Sequence, residues 1–268
     1  MHGESDMFAI SKKRSDHDYV VVMTACIDPG NKHPELHRRD PAVRKQDYQE
    51  ALHFWITHPD SRLRKIVFVE NTGYPLQELE EDAGTVNSQG KEIEFISLQC
   101  NDCPPGISYG YPELAMLDLA VSQSKLIQRS RYFIKTTGRL SFPALPSLLN
   151  RLPKDFLFAV DSRRYRLPAF SPMAFTTTQL MIFSVGFYTD NLIGLREKMN
   201  MSTPFIEHLF YQELMSYQGQ PGAILRWPVN VDPCGRAGHS AKNYNAPKQP
   251  IVNFARAICR MTLPNWWI

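Results

Sequence analysis

The sequence predicts an α/β fold with a mostly parallel central sheet and helices on both faces of that sheet. Residues 19–26 form an unbroken run of apolar and β-branched residues, which is typical of a strand buried on both faces. Similar runs recur through about the first 160 residues, and segments with helical spacing of apolar residues lie between them. This alternation favours parallel strands that are connected by helices.

The first half of the chain supplies these elements in a regular order. Asp40 and Pro41 provide an N-cap acceptor and a first-turn proline, so the first helix begins there and extends to about residue 57. A second helix begins near Pro112 and extends towards residue 127. The predicted strands are residues 19–26, 65–70, 92–98, 131–137 and 156–161.

The second half is less regular. Residues 179–185 and 223–229 have the composition of strands, and Thr203 with Pro204 marks the start of another helix. Residues 232–249 are rich in Gly, Pro, Ser, Asn and Lys and are predicted to form a long loop. Loops of this length inside a compact domain usually have a function or are disordered.

Composition favours one ordered domain, predicted over residues 19–268, after a disordered arm of residues 1–18. Hydrophobic residues make up 43% of the 268 residues, and the formal net charge of +3 is too balanced to indicate a nucleic-acid-binding protein. No apolar run is long enough to span a membrane, and the N-terminus lacks the apolar centre of a signal peptide. We therefore expect a cytoplasmic protein that does not bind nucleic acid.

The five cysteines indicate neither a disulfide framework nor a metal site. Cys100 and Cys103 have the spacing of half a zinc or redox site, but no second pair of similar spacing exists. A redox pair normally begins a helix, whereas two prolines and a glycine follow this pair. We interpret the two residues as reduced thiols at the end of a strand.

Ligands of open parallel sheets bind beyond the carboxyl ends of the strands, so the residues there are the candidates for a site. They combine polar groups that suit a base and a ribose with cations that suit phosphate. Neither a GxGxxG motif after the first strand nor a P-loop motif occurs. The candidates are Thr24, Ala25 and Cys26, Glu70, Asn71 and Thr72, and residues 109–113, 135–139 and 161–163.

An ordered series of short motifs between about residues 20 and 245 resembles the small GT-A glycosyltransferases of bacterial surface-polysaccharide and lipopolysaccharide gene clusters. The resemblance implies a single GT-A-like domain that transfers a sugar from a nucleotide-sugar donor to a saccharide acceptor, which is lipid-linked. The motifs are residues 22–29, Arg44 with Tyr48, Ala51 and Leu52, residues 67–72, 110–113 and 132–139, Ile206 with Glu207, and residues 235–240.

The strand-end candidates, taken together with this resemblance, give a donor-binding set. Glu113 belongs with the sugar hydroxyls, because a carboxylate cannot donate a hydrogen bond to a diphosphate. His239 lies in a glycine-rich loop that we expect to close over the donor, and an exposed loop histidine is the alternative. The donor-binding residues are Thr24, Ala25, Glu70, Asn71, Gly110, Tyr111, Glu113, Gly138 and His239.

Many GT-A enzymes hold a divalent metal with an Asp-x-Asp motif at the edge of the sheet, and no such motif follows a predicted strand here. The fourth strand ends instead with Lys135 and Arg139. We hypothesise that these two cations stabilise the leaving diphosphate in place of a metal, so that no cofactor is required. The alternative is that they cap the strand or pair with a carboxylate. If the enzyme uses Mn or Mg, Asp161 is the candidate ligand, unless it pairs with a neighbouring arginine such as Arg163.

An inverting transfer needs a base that removes the proton of the acceptor hydroxyl, and Glu207 is the candidate. It lies in the first turns of the helix that begins near Thr203, where the resemblance places an acidic residue. The alternative is that Glu207 only stabilises the helix, because acidic residues favour the first turn of any helix.

Two other functions stay open at this point. A nucleotidyltransferase of the same α/β class would release pyrophosphate and need a metal, and a non-catalytic partner of a polysaccharide-assembly complex would bind no nucleotide. Basic residues at 62–65 and 163–166 are either solvated or make peripheral contact with the inner face of a membrane.

Overall fold

The computed structural model describes residues 18–30, 36–165, 173–238 and 243–245, together with residues 254, 258 and 262. The helices in these ranges are α1 Pro41–Thr57, α2 Gln77–Val86, α3 Gly110–Gln123, α4 Lys125–Gln128, α5 Leu145–Leu149, α6 Val185–Asn191 and α7 Ile206–Met215, with a 3₁₀ turn at Leu195–Lys198. The strands are β1 Tyr19–Ala25, β2 Lys65–Glu70, β3 Glu92–Ser97, β4 Tyr132–Thr137, β5 Leu140–Ser141, β6 Phe158–Ala159, β7 Ser162–Tyr165, β8 Met173–Thr176, β9 Leu180–Ser184, β10 Ala223–Ile224 and β11 Cys234–Gly235.

Seven of these strands form the central sheet, in the order β10-β6-β9-β4-β1-β2-β3. The pairs β1–β2, β2–β3, β1–β4 and β6–β10 are parallel. Within the described part of the sheet, β9 alone is antiparallel, and it lies between β4 and β6. The prediction of an α/β fold with a mostly parallel sheet is confirmed.

Each face of the sheet carries its own hydrophobic core. Alternate residues of β1 enter the two cores: Val21 and Met23 pack with α1, α2 and α5, whereas Val20 and Val22 pack with α3, α4, α6 and α7. All seven residues of β1 are buried, as the apolar run in the sequence predicts. The prediction of helices on both faces is therefore also confirmed.

The first helix begins where the sequence predicts. Asp40 accepts hydrogen bonds from the backbone N–H groups of Ala42 and Val43, and Pro41 occupies the first helical position. This cap satisfies two of the amides that a helix start leaves without partners. The N-terminal arm predicted for residues 1–18 lies outside the described residues, apart from Asp18.

Four predicted elements have different bounds in the structure. The helix predicted from Pro112 towards residue 127 begins at Gly110 and breaks at Ser124, whose extended backbone and hydroxyl cap α4. The helix predicted from Thr203 begins at Ile206, because Asn200 and Thr203 close a turn ahead of it. The strands predicted over residues 156–161 and 223–229 are two residues long each, as β6 and β10.

Two small antiparallel sheets lie outside the central sheet. The β5–β11 pair brings Gly235 against Leu140, just beyond the end of β4. The β7–β8 hairpin packs on α7. In the described ranges, no helix combines the length and the apolar composition that a membrane span requires.

Candidate active site

A pocket opens at the carboxyl ends of β1, β2 and β4, where ligands of open α/β sheets bind. It contains about 870 Å³ of space, part of which is open to solvent. Six residues to which the sequence analysis gives a donor-binding or catalytic role line it: Thr24, Ala25, Asn71, Glu113, Arg139 and Glu207. These residues come from the ends of β1, β2 and β4 and from the first turns of α3 and α7.

The first turns of α3 and α7 converge on this pocket because Gly110 and Ile206 are in contact. A Cβ atom on Gly110 would lie 2.6 Å from the Cβ of Ile206, which is closer than real side chains approach. Gly110 therefore permits the helix contact and does not line the pocket. Glu113 and Glu207 stand in the first turns of these helices, so this contact brings both carboxylates to one side of the site.

A fully buried lysine lies among these acidic residues. The Nζ atom of Lys135 is 2.6 Å from Glu113 Oε1 and donates a hydrogen bond of 2.5 Å to the carbonyl oxygen of Thr178. The Thr178 hydroxyl in turn donates to Glu207 Oε1 at 3.4 Å. Lys135 has no exposed surface and does not line the pocket. Lys135 thus lies behind the acidic wall of the pocket, which Glu113 and Glu207 form. Its pairing with a carboxylate is the alternative that the sequence analysis leaves open.

Glu207 is the carboxyl group at the other end of this chain of contacts. Burial disfavours its ionised form and raises its pKa above the usual value, and the charge of Glu113 acts in the same direction. The backbone N–H of Glu207, the Lys135 ammonium and the Thr178 hydroxyl oppose this shift in part. A carboxyl group with a raised pKa that faces a pocket suits proton transfer.

Arg139 forms the cationic side of the pocket. Its guanidinium lies over the Tyr48 ring, 5.8 Å from the ring centroid, and donates a hydrogen bond of 3.0 Å to the carbonyl oxygen of Arg236. Its Nε atom has no hydrogen-bond partner among the described residues. Gly238 packs against the same guanidinium, because a Cβ there would overlap it. Arg139 is therefore fixed in position with an N–H group still to be satisfied.

Tyr48 and Arg44 organise the loop that follows β1. The Tyr48 hydroxyl accepts hydrogen bonds from the Cys26 backbone N–H at 2.9 Å and from the Arg44 guanidinium at 3.2 Å. Arg44 also donates to the Cys26 carbonyl oxygen at 2.6 Å. Burial raises the pKa of the Cys26 thiol to about 11, so this thiol is uncharged at neutral pH. The hydrogen bonds of Tyr48 and Arg44 thus hold the loop after β1 in place beside Arg139.

Asn71 and Asn101 provide an uncharged polar wall. Asn71 Nδ2 donates a hydrogen bond to Asn101 Oδ1 at 3.3 Å, while Asn71 Oδ1 is buried and has no partner among the described residues. An unsatisfied buried acceptor costs about 1–3 kcal/mol. A hydroxyl or N–H donor on a ligand would remove that cost.

Glu70 does not line the pocket and is fully buried. Its carboxylate accepts hydrogen bonds from the backbone N–H groups of Ile27 at 2.9 Å, Thr72 at 2.8 Å and Tyr74 at 3.0 Å. The Thr72 hydroxyl donates a fourth bond at 2.6 Å. In the structure, Glu70 thus ties the loop after β1 to the loop after β2.

Gly138 and Tyr111 also lie away from the pocket lining. The backbone N–H of Gly138 donates to the carbonyl oxygen of Thr24 at 2.9 Å, and a Cβ on Gly138 would lie 2.7 Å from that oxygen. This close approach holds the end of β4 against the end of β1. The Tyr111 ring lies under the guanidinium of Arg196 at 5.6 Å. His239 lies outside the described residues.

Among the residues that the structure describes, those at this pocket do not fit a divalent metal. Asp161 is buried, does not line the pocket and pairs with the Arg163 guanidinium at 2.9 Å. Glu113 is held by Lys135, and no group of three or more His, Cys, Asp or Glu side chains that could hold a metal ion occurs among the described residues. The sequence contains one Asp-x-Asp, at residues 16–18, but it precedes β1. Its Asp18 pairs with Lys65 at the amino ends of the strands, opposite the pocket.

Several pocket residues were not assigned from the sequence. Asn101 follows β3 at the same edge of the sheet, and its position after a strand was the signal that could have identified it. Thr178 and Gln179 precede β9, whose antiparallel direction brings its start to this edge. Tyr244 contacts Gln179 through its hydroxyl group. Arg44, Tyr48, Met116 and Arg236 also line the pocket, and the sequence analysis gives them no role in the site. The strand-end and helix-start candidates Cys26, Tyr109 and Thr137 line it as well.

No protein-family model matches the chain, and no curated protein matches it. Among solved structures, an active-site mutant of LgtC is similar at a TM-score of 0.47 and 9% identity, over 88% of this chain and 95% of that one. A cytidylyltransferase from Leptospira borgpetersenii is similar at a TM-score of 0.43 and 10% identity, over 80% of this chain and 77% of that one. The mannosyltransferase Ktr4p from S. cerevisiae is similar at 0.41 and 8% identity, over 72% and 62%. Likeness at this level shows neither the family nor the activity of this chain.

Proposed function

We propose that this protein is a glycosyltransferase that moves a sugar from a nucleotide-sugar donor to a saccharide acceptor without a metal. The observation that carries the proposal is one pocket that joins a fixed guanidinium, Arg139, to a carboxyl group of raised pKa, Glu207. The sequence resemblance to GT-A glycosyltransferases supports the same reaction. It also supports a lipid-linked acceptor in surface-polysaccharide synthesis, at the inner face of the membrane.

In this reaction Arg139 binds the diphosphate of the donor. When the bond between the anomeric carbon and the diphosphate oxygen breaks, negative charge accumulates on that oxygen. A guanidinium stabilises this charge because its planar N–H groups match phosphate oxygens. Stacking on Tyr48 and the hydrogen bond to the Arg236 carbonyl hold the Arg139 side chain in place before the donor binds.

Glu207 acts as the base. It takes the proton from the acceptor hydroxyl, whose oxygen forms the new bond to the anomeric carbon as the nucleoside diphosphate leaves. The products are the extended saccharide, the nucleoside diphosphate and the proton held by Glu207. An inverting outcome follows from this single displacement.

Two other sides of the pocket, at Glu113 and at Asn71, suit the sugar and the nucleoside of the donor. Glu113 is held by Lys135 and receives a hydrogen bond of 3.2 Å from the Thr24 hydroxyl, and its carboxylate is placed to accept from sugar hydroxyls. Asn71 Oδ1 offers an acceptor to the nucleoside. A nucleotidyltransferase is disfavoured, because its reaction needs a metal and the described part of the pocket does not fit one.

The first test is binding. Thermal shifts with UDP, GDP, CMP and dTDP are measured in manganese and separately in EDTA. We expect one nucleotide to raise the melting temperature of the wild-type protein in both, and Arg139→Ala to lose most of that shift. The matched control is Arg129→Ala, which removes an exposed arginine paired with Glu92 outside the pocket.

Two outcomes would contradict the proposal. A shift seen only with manganese would favour a metal-dependent transferase or nucleotidyltransferase. The absence of any shift in a cooperatively melting wild-type protein would favour a non-catalytic partner of an assembly complex. After a binding shift, release of the nucleoside diphosphate from the matching sugar nucleotide is measured with lipid extract as the acceptor source.

A further inference from the structure

The buried ammonium of Lys135 makes contacts that its predicted role as a phosphate ligand does not explain. It lies behind the acidic wall, with no exposed surface, 2.6 Å from a Glu113 carboxylate oxygen and 2.5 Å from the Thr178 carbonyl oxygen. Burying an ammonium group is costly unless it is paired and hydrogen-bonded. Here it is both, and both of its partners line the pocket.

The two partners lead to the two pocket carboxylates. Glu113 is bound directly, and Glu207 is reached through Thr178, whose carbonyl accepts from Lys135 and whose hydroxyl donates to Glu207 at 3.4 Å. Thr178 is itself buried, so its two bonds fix both ends of the residue. A displacement of Lys135 therefore changes the environment of both carboxylates.

We propose that Lys135 is a positioning residue, which holds Glu113 as the fixed anion of the pocket and leaves Glu207 as the carboxyl group that exchanges a proton. This inference rests on the proposed transfer and deepens it. Two carboxyl groups that share one cavity take different roles when their environments differ, and here the difference is a direct contact with the ammonium. Glu113 then accepts from donor hydroxyls, and Glu207 accepts the proton of the acceptor.

The charges that act on Glu207 make this division testable. Glu113, from α3, raises the pKa of Glu207, and Lys135, from β4, lowers it; burial is the larger cause of the raised value. Removing the lysine charge should therefore raise the pKa of Glu207 further, whereas removing the Glu113 charge should lower it. If Lys135 only filled space, its replacement by an uncharged side chain would leave the pKa of Glu207 unchanged.

The experiment is a ¹³C NMR titration of the protein labelled at the glutamate carboxyl carbons, with the Glu207 signal assigned by its loss in Glu207→Gln. We expect Lys135→Met to raise the pKa of Glu207 by about one unit, the usual order for the loss of a nearby opposite charge. Glu113→Gln should shift it downward, and Lys135→Arg should restore it towards the wild-type value. Lys45→Met, which removes a lysine paired with Glu78 outside the pocket, should leave it unchanged.

Lys135→Met leaves Glu113 without its partner and is the variant most exposed to loss of folding. The double variant Lys135→Met/Glu113→Gln removes both charges, so neither residue 135 nor residue 113 leaves a buried charge without a partner. The pKa of Glu207 in this variant should lie between its values in the two single variants. A Glu207 pKa that is the same in Glu113→Gln and in the double variant would overturn the proposal, because these two variants differ only in the charge at residue 135. Because the titration needs no substrate, a failure of the transfer reaction itself is detected separately, by the nucleotide-binding measurement on the wild-type protein.

Discussion

Gly110 lies directly against Ile206, so the first residues of α3 and α7 are in contact at the edge of the sheet. This contact places the first turns of two helices, from distant parts of the sequence, on one pocket. Each of these turns contributes one carboxylate, Glu113 and Glu207. The spacing between the two acidic groups thus depends on the absence of a side chain at residue 110.

The first prediction concerns that contact. Gly110→Ala would introduce a Cβ atom 2.6 Å from the Cβ of Ile206, so α3 and α7 must move apart. We expect a loss of about 1–3 kcal/mol in the free energy of unfolding, as for other overpacked cores. We also expect lower transfer activity, because Glu113 and Glu207 separate. Urea denaturation and initial rates provide the two measurements.

Gly84→Ala is the matched control. Gly84 lies inside α2, and a Cβ there would meet nothing within 4 Å. Alanine in a helix interior is favoured over glycine by roughly 0.5–1 kcal/mol, so this variant should be as stable as the wild type or more stable. Equal stability of the two alanine variants would contradict the role of Gly110.

The second prediction concerns Glu207 as a base. Glu207→Gln keeps the shape of the side chain, but a glutamine cannot take the proton from the hydroxyl group of the saccharide acceptor. We therefore expect kcat to fall by about 10²- to 10⁴-fold. Nucleotide binding should change little. Glu197→Gln, an exposed change outside the pocket, is the control. Full activity of Glu207→Gln would show that another group accepts the proton.

The third prediction is the pH dependence that accompanies this role. The base must be ionised, so the rate should fall as pH falls through the pKa of Glu207, which burial raises above the usual 4.5. The same shift has an opposite effect on stability, because the folded state binds the Glu207 proton more tightly than the unfolded state does. The stability that Glu207 contributes is present below pH 4.5, is lost as the pH rises towards the folded pKa, and is lost in full above it. Glu207→Gln should therefore unfold at higher urea than the wild type at pH 8, and this advantage should shrink as the pH falls towards 4.5. A wild-type protein that is the more stable of the two at pH 8 would argue against the shift.

The central strands could be predicted from sequence because the signal is local. β1, β2 and β4 are runs of buried apolar residues, and each has nearly the predicted bounds. α2 was missed because only Leu79 and Ala83 of its ten residues are buried. The short strands β6 and β10 gain their structure from pairing with each other and, through β6, with β9, which no local pattern reveals.

Part of the site could also be predicted, because the parallel strands that carry it could be located from local sequence patterns. The rule that ligands bind at carboxyl ends of parallel strands identified Thr24, Asn71 and Arg139, which line the pocket. It could not show that Lys135 points behind the wall, because that depends on Glu113 and Thr178, which reach it from two other elements. Thr178 itself precedes an antiparallel strand, to which the rule does not apply.

The fourth prediction concerns Arg139 and the donor diphosphate. Loss of a charge-assisted hydrogen bond costs about 1.5–3 kcal/mol, so Arg139→Ala should weaken nucleoside-diphosphate binding by about 10- to 100-fold. Arg139→Lys keeps the charge but loses the planar group over Tyr48 and the geometry that matches two phosphate oxygens, so it should restore only part of the affinity. Isothermal titration calorimetry with the nucleotide that shifts the wild type measures both variants. Complete recovery in Arg139→Lys would mean that charge alone is required at this position.

The last prediction separates Glu70 from the ligand-binding residues. Its carboxylate accepts four hydrogen bonds within the protein, three of them from backbone N–H groups of the loops after β1 and β2. Glu70→Gln replaces one acceptor oxygen with an amide that must face an N–H donor, so we expect a loss of about 2–3 kcal/mol in the free energy of unfolding. Nucleotide affinity, measured well below the melting temperature, should fall less than it does in Arg139→Ala, because Glu70 does not line the pocket. A variant with wild-type stability and strongly reduced affinity would instead place Glu70 in contact with the donor, as the sequence resemblance implies.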